Sequence, residues 1–163
     1  MLVRPDAMDP DSKIWIFQSK DAINTEIQAS ISNELMKFLD EWAAHNVQLH
    51  TSGAIHLDRF ITIMVDERHT GASGCSLDNM HQFIHHLEKK YNLNLMDRMQ
   101  VAYYNEGDNH ISTAELNTLP ELISQGIINE ETFVFDNLVP TKSDFDNRWK
   151  VQIKNSWHKR FIK

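Results

Sequence analysis

Ile27, Ile31, Leu35, Phe38, Leu39 and Trp42 fall on one face of a helical wheel, and no other pattern in the chain narrows its fold as much. A helix from Glu26 to His45 with one apolar side has to bury that side against a sheet or another helix. Thr25 and Gln28 have the spacing of a capping box at its start. A second stripe, Met80, Phe83, Ile84, Leu87 and Tyr91, predicts a helix opened by Ser76 and ending near Asn92.

Between and around these helices lie runs rich in β-branched and aromatic residues. Lys13 to Ser19 reads as a strand buried on both faces, and Val47 to Thr51 alternates before a turn at Ser52 and Gly53. Phe60 to Asp66 is a more apolar run, and Arg98 to Tyr104 alternates again. The resulting order, strand, helix, strand, strand, helix, strand, predicts an α+β fold with a βαββαβ, ferredoxin-like sandwich as the specific topology. In that topology both helices cover one face of a four-stranded sheet, with Lys13 to Ser19 and Phe60 to Asp66 as its central strands.

The pattern changes after Asn105. Glu106 to Asn109 is a polar turn, Pro120 to Gln125 a short helix closed by Gly126, and Thr132 to Val139 a strand broken by Pro140. Ser143 can cap a last helix bearing Phe145, Trp149, Ile153, Trp157 and Phe161. The domain plan is therefore a loose N-terminal tail over residues 1–12, a sheet core over 13–105, and a helix-strand-helix addition over 106–163 packed on the same domain.

Charge and length exclude several functions. Sixteen Lys and Arg against 23 Asp and Glu leave a net charge of -7 over 163 residues, which repels nucleic acid at long range. The basic residues Lys150, Lys154, Lys159, Arg160 and Lys163 alternate with aromatic residues at helical spacing and read as a solvated helix face. No apolar run approaches membrane-spanning length, and the acidic, proline-bearing N-terminus lacks the apolar core of a secretory signal. A single cysteine permits no internal disulfide. These features together point to a cytoplasmic, soluble protein with no nucleic-acid or membrane partner.

Lys13 to Ser19, Val65 to Asp78, Val134 to Lys142 and the closing Ser156, Trp157 and His158 resemble a family of small uncharacterised bacterial proteins, over nearly the whole chain. Its members sometimes carry the label ABC transporter ATPase. That label implies a glycine-rich phosphate loop ending in lysine and Ser or Thr, whereas Gly71 to Ser76 holds glycines without a lysine. Leu116, Leu122, Gly126, Ile128 and Thr132 are also spaced somewhat like those of a GYF-type peptide-binding module. The aromatic residues that form such a module's ligand surface are missing at the expected places.

The segment Arg68 to Ser76 is the most suggestive for function, because it leaves an apolar strand and enters a helix. Free N–H groups at the helix start, close backbone approach at Gly71 and Gly74, the Ser76 cap and a bidentate Arg68 would together suit a carboxylate or phosphate. The first expectation is thus a non-catalytic domain that binds a small anionic ligand or a protein partner there, with no cofactor. A second is a thiol-dependent enzyme. Cys75 lies where the helix dipole favours a nucleophilic thiolate, His69 could serve as its base, and Asp66 or Asp78 could orient the imidazole. A third is a metal-binding protein using His81 and His85, which recur with Glu88 along one helix edge. Two histidines and a glutamate on an open flank make a loosely supported site, so no metal is expected there.

Overall fold

The computed structural model describes residues 1–162. In chain order it places β1 (Lys13–Gln18), α1 (Thr25–Glu41), β2 (Ala43–Ala44), β3 (Val47–Gln48), β4 (His50–His56), β5 (Phe60–Asp66) and α2 (Gly74–Tyr91). There follow β6 (Gln100–Asn105), β7 (His110–Glu115), α3 (Leu119–Ser124), β8 (Phe133–Phe135), α4 (Lys142–Arg148) and β9 (Lys150–Gln152). The chain is an α+β protein whose described residues form three antiparallel sheets, ordered β1-β5-β4, β2-β3 and β7-β6-β8-β9.

This arrangement corrects the ferredoxin-like expectation. The fourth strand of the βαββαβ order, β6, does not join β1, β5 and β4 but pairs with β7 and β8 in a separate sheet. Its hairpin partner β7, which has no strong apolar alternation, claims one edge, and β8 the other. The boundary drawn at residue 105 therefore cuts through the second sheet. β5 is central and buried at every position, as expected, while β1 lies at an edge.

The layers follow from alternation along β5. Ile61, Ile63 and Val65 face α1 and α2, meeting Ile31, Leu35, Leu39, Met80, Ile84 and Leu87 in the first core cluster. Phe60 and Met64 face the other way, into a second cluster with Ile14, Phe135, Val139 and Trp149. A third cluster closes the far side of the second sheet, with Leu119, Ile128 and Ile153 in it. The order is helices, sheet, sheet, then α3 with the C-terminal 3-10 turns.

Several boundaries shift for identifiable reasons. Asn24, not Thr25, caps α1 by accepting from the Ile27 N–H at 2.9 Å. The helix stops at Glu41 because Trp42 turns inward, its indole N–H donating to the Ser76 carbonyl at 2.9 Å. His45 and Asn46 then take left-handed backbone angles in the turn between β2 and β3. Gly53 is no turn residue: it lies within β4, where a Cβ would sit 2.7 Å from the Thr62 carbonyl oxygen and 2.8 Å from Leu39 Cδ1. The hairpin turn falls instead at Leu57 and Asp58, both at positive φ.

The long last helix is also corrected. Thr141, not Ser143, caps a short α4, and Lys150–Gln152 pair with β8 as β9, followed by 3-10 turns. Residues 1–12 are docked, not loose: the Val3 N–H donates to the Thr51 carbonyl along the outer edge of β4, and Met8 is buried between the sheets. No described helix is long and apolar enough to cross a membrane.

Candidate functional site

The loop after β5 is built largely from contacts among its own side chains and near neighbours. Arg68 donates to both oxygens of the buried Asp66, at 2.9 Å from Nε and 2.6 Å from Nη2, and its Nη1 lies 2.9 Å from Asp9. The guanidinium expected to clamp an anion is thus already shared by two carboxylates. Hydrogen bonding from Arg68 holds the Asp66 carboxyl down at about 2 against the opposing effect of burial.

The cap of α2 is Ser73. Its Oγ accepts from the Ser76 N–H at 3.2 Å while Ser76 Oγ accepts from the Ser73 N–H at 2.6 Å, so Ser76 is the reciprocal third residue of the capping box. Gly71 and Gly74 do not adopt positive φ; among the glycines only Gly126 does. A Cβ at Gly71 would meet the Glu67 carboxylate at 3.0 Å, and one at Gly74 would meet nothing within 4 Å.

Cys75 is exposed and lines a shallow pocket of about 540 Å³ together with His45, Trp42 and Asn79. His69, its expected base, instead stacks on His50 at 3.9 Å between ring centroids and does not line that pocket. His81 and His85 also have separate surroundings. His81 meets the edge of Phe17, and His85 Nδ1 lies 3.1 Å from Glu88 Oε1. The other Glu88 oxygen accepts from the Leu95 N–H, so this carboxylate anchors the segment after α2. Among the described residues no group of three or more His, Cys, Asp or Glu side chains is placed to hold a metal ion.

A groove that the residue patterns did not single out runs along β1. It encloses about 470 Å³, within the usual range of about 300 to 1,000 Å³ for ligand sites. Residues 14–18, 95–98 and 137–140 line it, with Trp157 and His158. The Lys13, Trp15 and Phe17 backbone groups face β5 in register with Val65, Ile63 and Ile61. By the alternation of an antiparallel ladder, those of Ile14, Ile16 and Gln18 point outward. The Ile14 N–H is satisfied, donating to the Pro140 carbonyl. Ile16 and Gln18 have no strand beside them among the described residues.

One end of the groove is fixed by a hydrogen-bonded chain. Trp149 Nε1 donates to Asn137 Oδ1 at 3.0 Å, Asn137 Nδ2 to Gln18 Oε1 at 2.8 Å, and Gln18 Nε2 to the Gln100 carbonyl at 3.4 Å. The chain ties β1 to both margins of the groove. The signal was present in the sequence as an apolar strand, but which strand is left at an edge depends on where β6 goes.

His158 is 2% exposed and stacks on Trp157 at 3.9 Å. Burial pushes its pKa down to about 4, with the Asp136 carboxylate acting in the opposite direction. A histidine whose folded pKa lies below its ordinary value contributes stability above about pH 6.5 that is lost as pH falls toward 4. The expected loss is about 3 kcal/mol across that window, read by urea unfolding at stepped pH, and His158→Phe should flatten it. A second loss, below about pH 4, should follow as Asp66 and Glu34 protonate, both held near 2 in the folded state. A wild-type stability constant between pH 7 and 4.5 would refute the assignment to His158.

No family model, curated protein or solved structure matches the chain.

Proposed function

We propose that this protein is a non-catalytic binding module that takes an extended peptide segment of a protein partner as an added strand on β1. The unpaired outward backbone of Ile16 and Gln18, lying in a groove of about 470 Å³, carries this reading. The two positions are separated by about 7 Å, the two-residue repeat of an extended chain. Residues 1–3 cover the opposite edge at Thr51 and residues 140–142 cover the start of β1, and the stretch at Ile16 and Gln18 is an uncovered one that lies in a groove. An anion-binding role for Arg68 to Ser76 is less favoured, because Asp66 and Asp9 already engage Arg68.

The probe is a capped peptide of alternating threonine and valine with a lysine at each end for solubility. Titration should shift the backbone amide resonances of Ile16 and Gln18. Of the two versions methylated on alternate backbone nitrogens, the one methylated on the face turned to β1 should lose binding. Leu138, 65% exposed on the groove's rim, offers a variant outside the core: Leu138→Glu should weaken binding about tenfold, or ~1.4 kcal/mol. Equal binding by both methylated versions, or shifts remote from β1, would exclude strand addition.

A further inference from the structure

Resting on strand addition at β1, we infer that the added segment presents three consecutive apolar residues, in the manner of a central strand, and not the alternation of apolar and polar residues that a half-exposed edge strand carries. The two faces of β1 belong to different parts of the core. Trp15 and Phe17 pack toward the helices, in the cluster that also holds Leu95 and Met96, while Ile14 and Ile16 pack toward the second sheet with Phe135 and Val139. All of these residues line the groove. A strand laid along the outer edge of β1 continues both faces, because residues opposite each other in a ladder turn their side chains to the same side. The residue opposite Ile16 therefore turns toward Phe135 and Val139, and the residue opposite Phe17 toward Leu95 and Met96.

The length of the run follows from what already occupies the edge. The Ile14 N–H donates to the Pro140 carbonyl, the Lys142 N–H donates to the Ser12 carbonyl and Thr141 bridges to Lys13, so residues 140–142 fill the ladder up to Ile14. At the other end the Gln18 side chain is tied to Asn137 and to the Gln100 carbonyl. Between these limits a partner backbone lies beside residues 16–18, a stretch of three residues. The charged side chains of the lining stand toward the Gln18 end: Asp97 and Arg98 belong to a turn in which the Gln100 N–H donates to the Asp97 carbonyl at 3.5 Å. His81 is exposed at the rim, edge-on to Phe17. A charged side chain on either face of the bound run would lose its water against apolar carbon, whereas an apolar one would gain by burial.

The test uses the wild-type protein and capped peptides with three residues between two end lysines, short enough that the register cannot slide. Three valines should bind about threefold or more tighter than Thr-Val-Thr, since each hydroxyl is replaced by a methyl group. Lysine or glutamate at the middle position should each cost about tenfold or more, and so should lysine or glutamate at both outer positions, because the two sets face opposite walls. The Ile16 and Gln18 amides should shift with every peptide that binds. Tolerance of both charges at either set, within about threefold, would show that one face of the bound segment is open to water. That result would overturn the apolar run and leave strand addition standing. Rejection of one sign only would assign the choice to Asp97 or Arg98 and overturn it equally. No shift at Ile16 and Gln18 with any of the peptides would overturn both.

Discussion

Trp149→Ala should cost about 3 to 5 kcal/mol of stability, the usual penalty for removing a large aromatic from a core. Trp149 is only 9% exposed, and its ring lies 4.6 to 4.9 Å from Phe145, Phe60 and Phe135, centroid to centroid. It therefore joins the first sheet, the second sheet and α4 in a single contact. The indole N–H also holds Asn137, which holds Gln18, so the same change should loosen the end of the groove and weaken peptide binding at β1. Trp149→Phe keeps most of the packing and removes the hydrogen bond, for an expected loss of about 1 to 2 kcal/mol. Urea unfolding of the three proteins separates the two contributions. A loss below about 1 kcal/mol for the alanine variant would mean that the sheets are held together elsewhere.

Gly53→Val should be comparably damaging for the opposite reason. The added Cβ would lie 2.7 Å from a backbone oxygen of β5 and 2.8 Å from Leu39 of α1, and the backbone oxygen cannot swing aside. Either α1 lifts from the sheet or the β4–β5 ladder opens, at about 3 kcal/mol or more. Gly74→Ala is the contrasting change: it meets nothing within 4 Å at the first turn of α2 and should be neutral or stabilising by up to about 1 kcal/mol. A Gly53→Val protein with wild-type melting behaviour would show that α1 does not sit as close to β4 as described.

These two positions also mark where sequence patterns informed the fold and where they misled. The helical stripes were legible because one-sided burial leaves a periodic record, and β5, buried throughout, because it is a largely apolar run. Gly53 was read as a turn because glycine permits turns, yet here it permits close approach between a helix and a strand, a tertiary fact with no local signature. Trp149, Ile153, Trp157 and Phe161 have helical spacing, but β9 pairing and successive 3-10 turns bury the first two and half-bury the others by other means.

The site was less legible than the fold. Arg68, Cys75 and His69 were chosen for chemical type and nearness along the chain, and the fold brings Arg68 to Asp66 and Asp9, His69 to His50, and Cys75 to His45. His158 had no spacing to recommend it. It lies in a groove made by segments more than a hundred residues apart.

The cluster between the two sheets joins Met8 and Ile14 to Val139 and Trp149. During synthesis the first sheet could be complete after α2 emerges, but its Phe60 and Met64 side would remain bare until the segment bearing Trp149 had left the ribosome. A nascent chain paused in that interval would present an apolar sheet surface to other chains, and that surface could serve as a point of attachment for a chaperone.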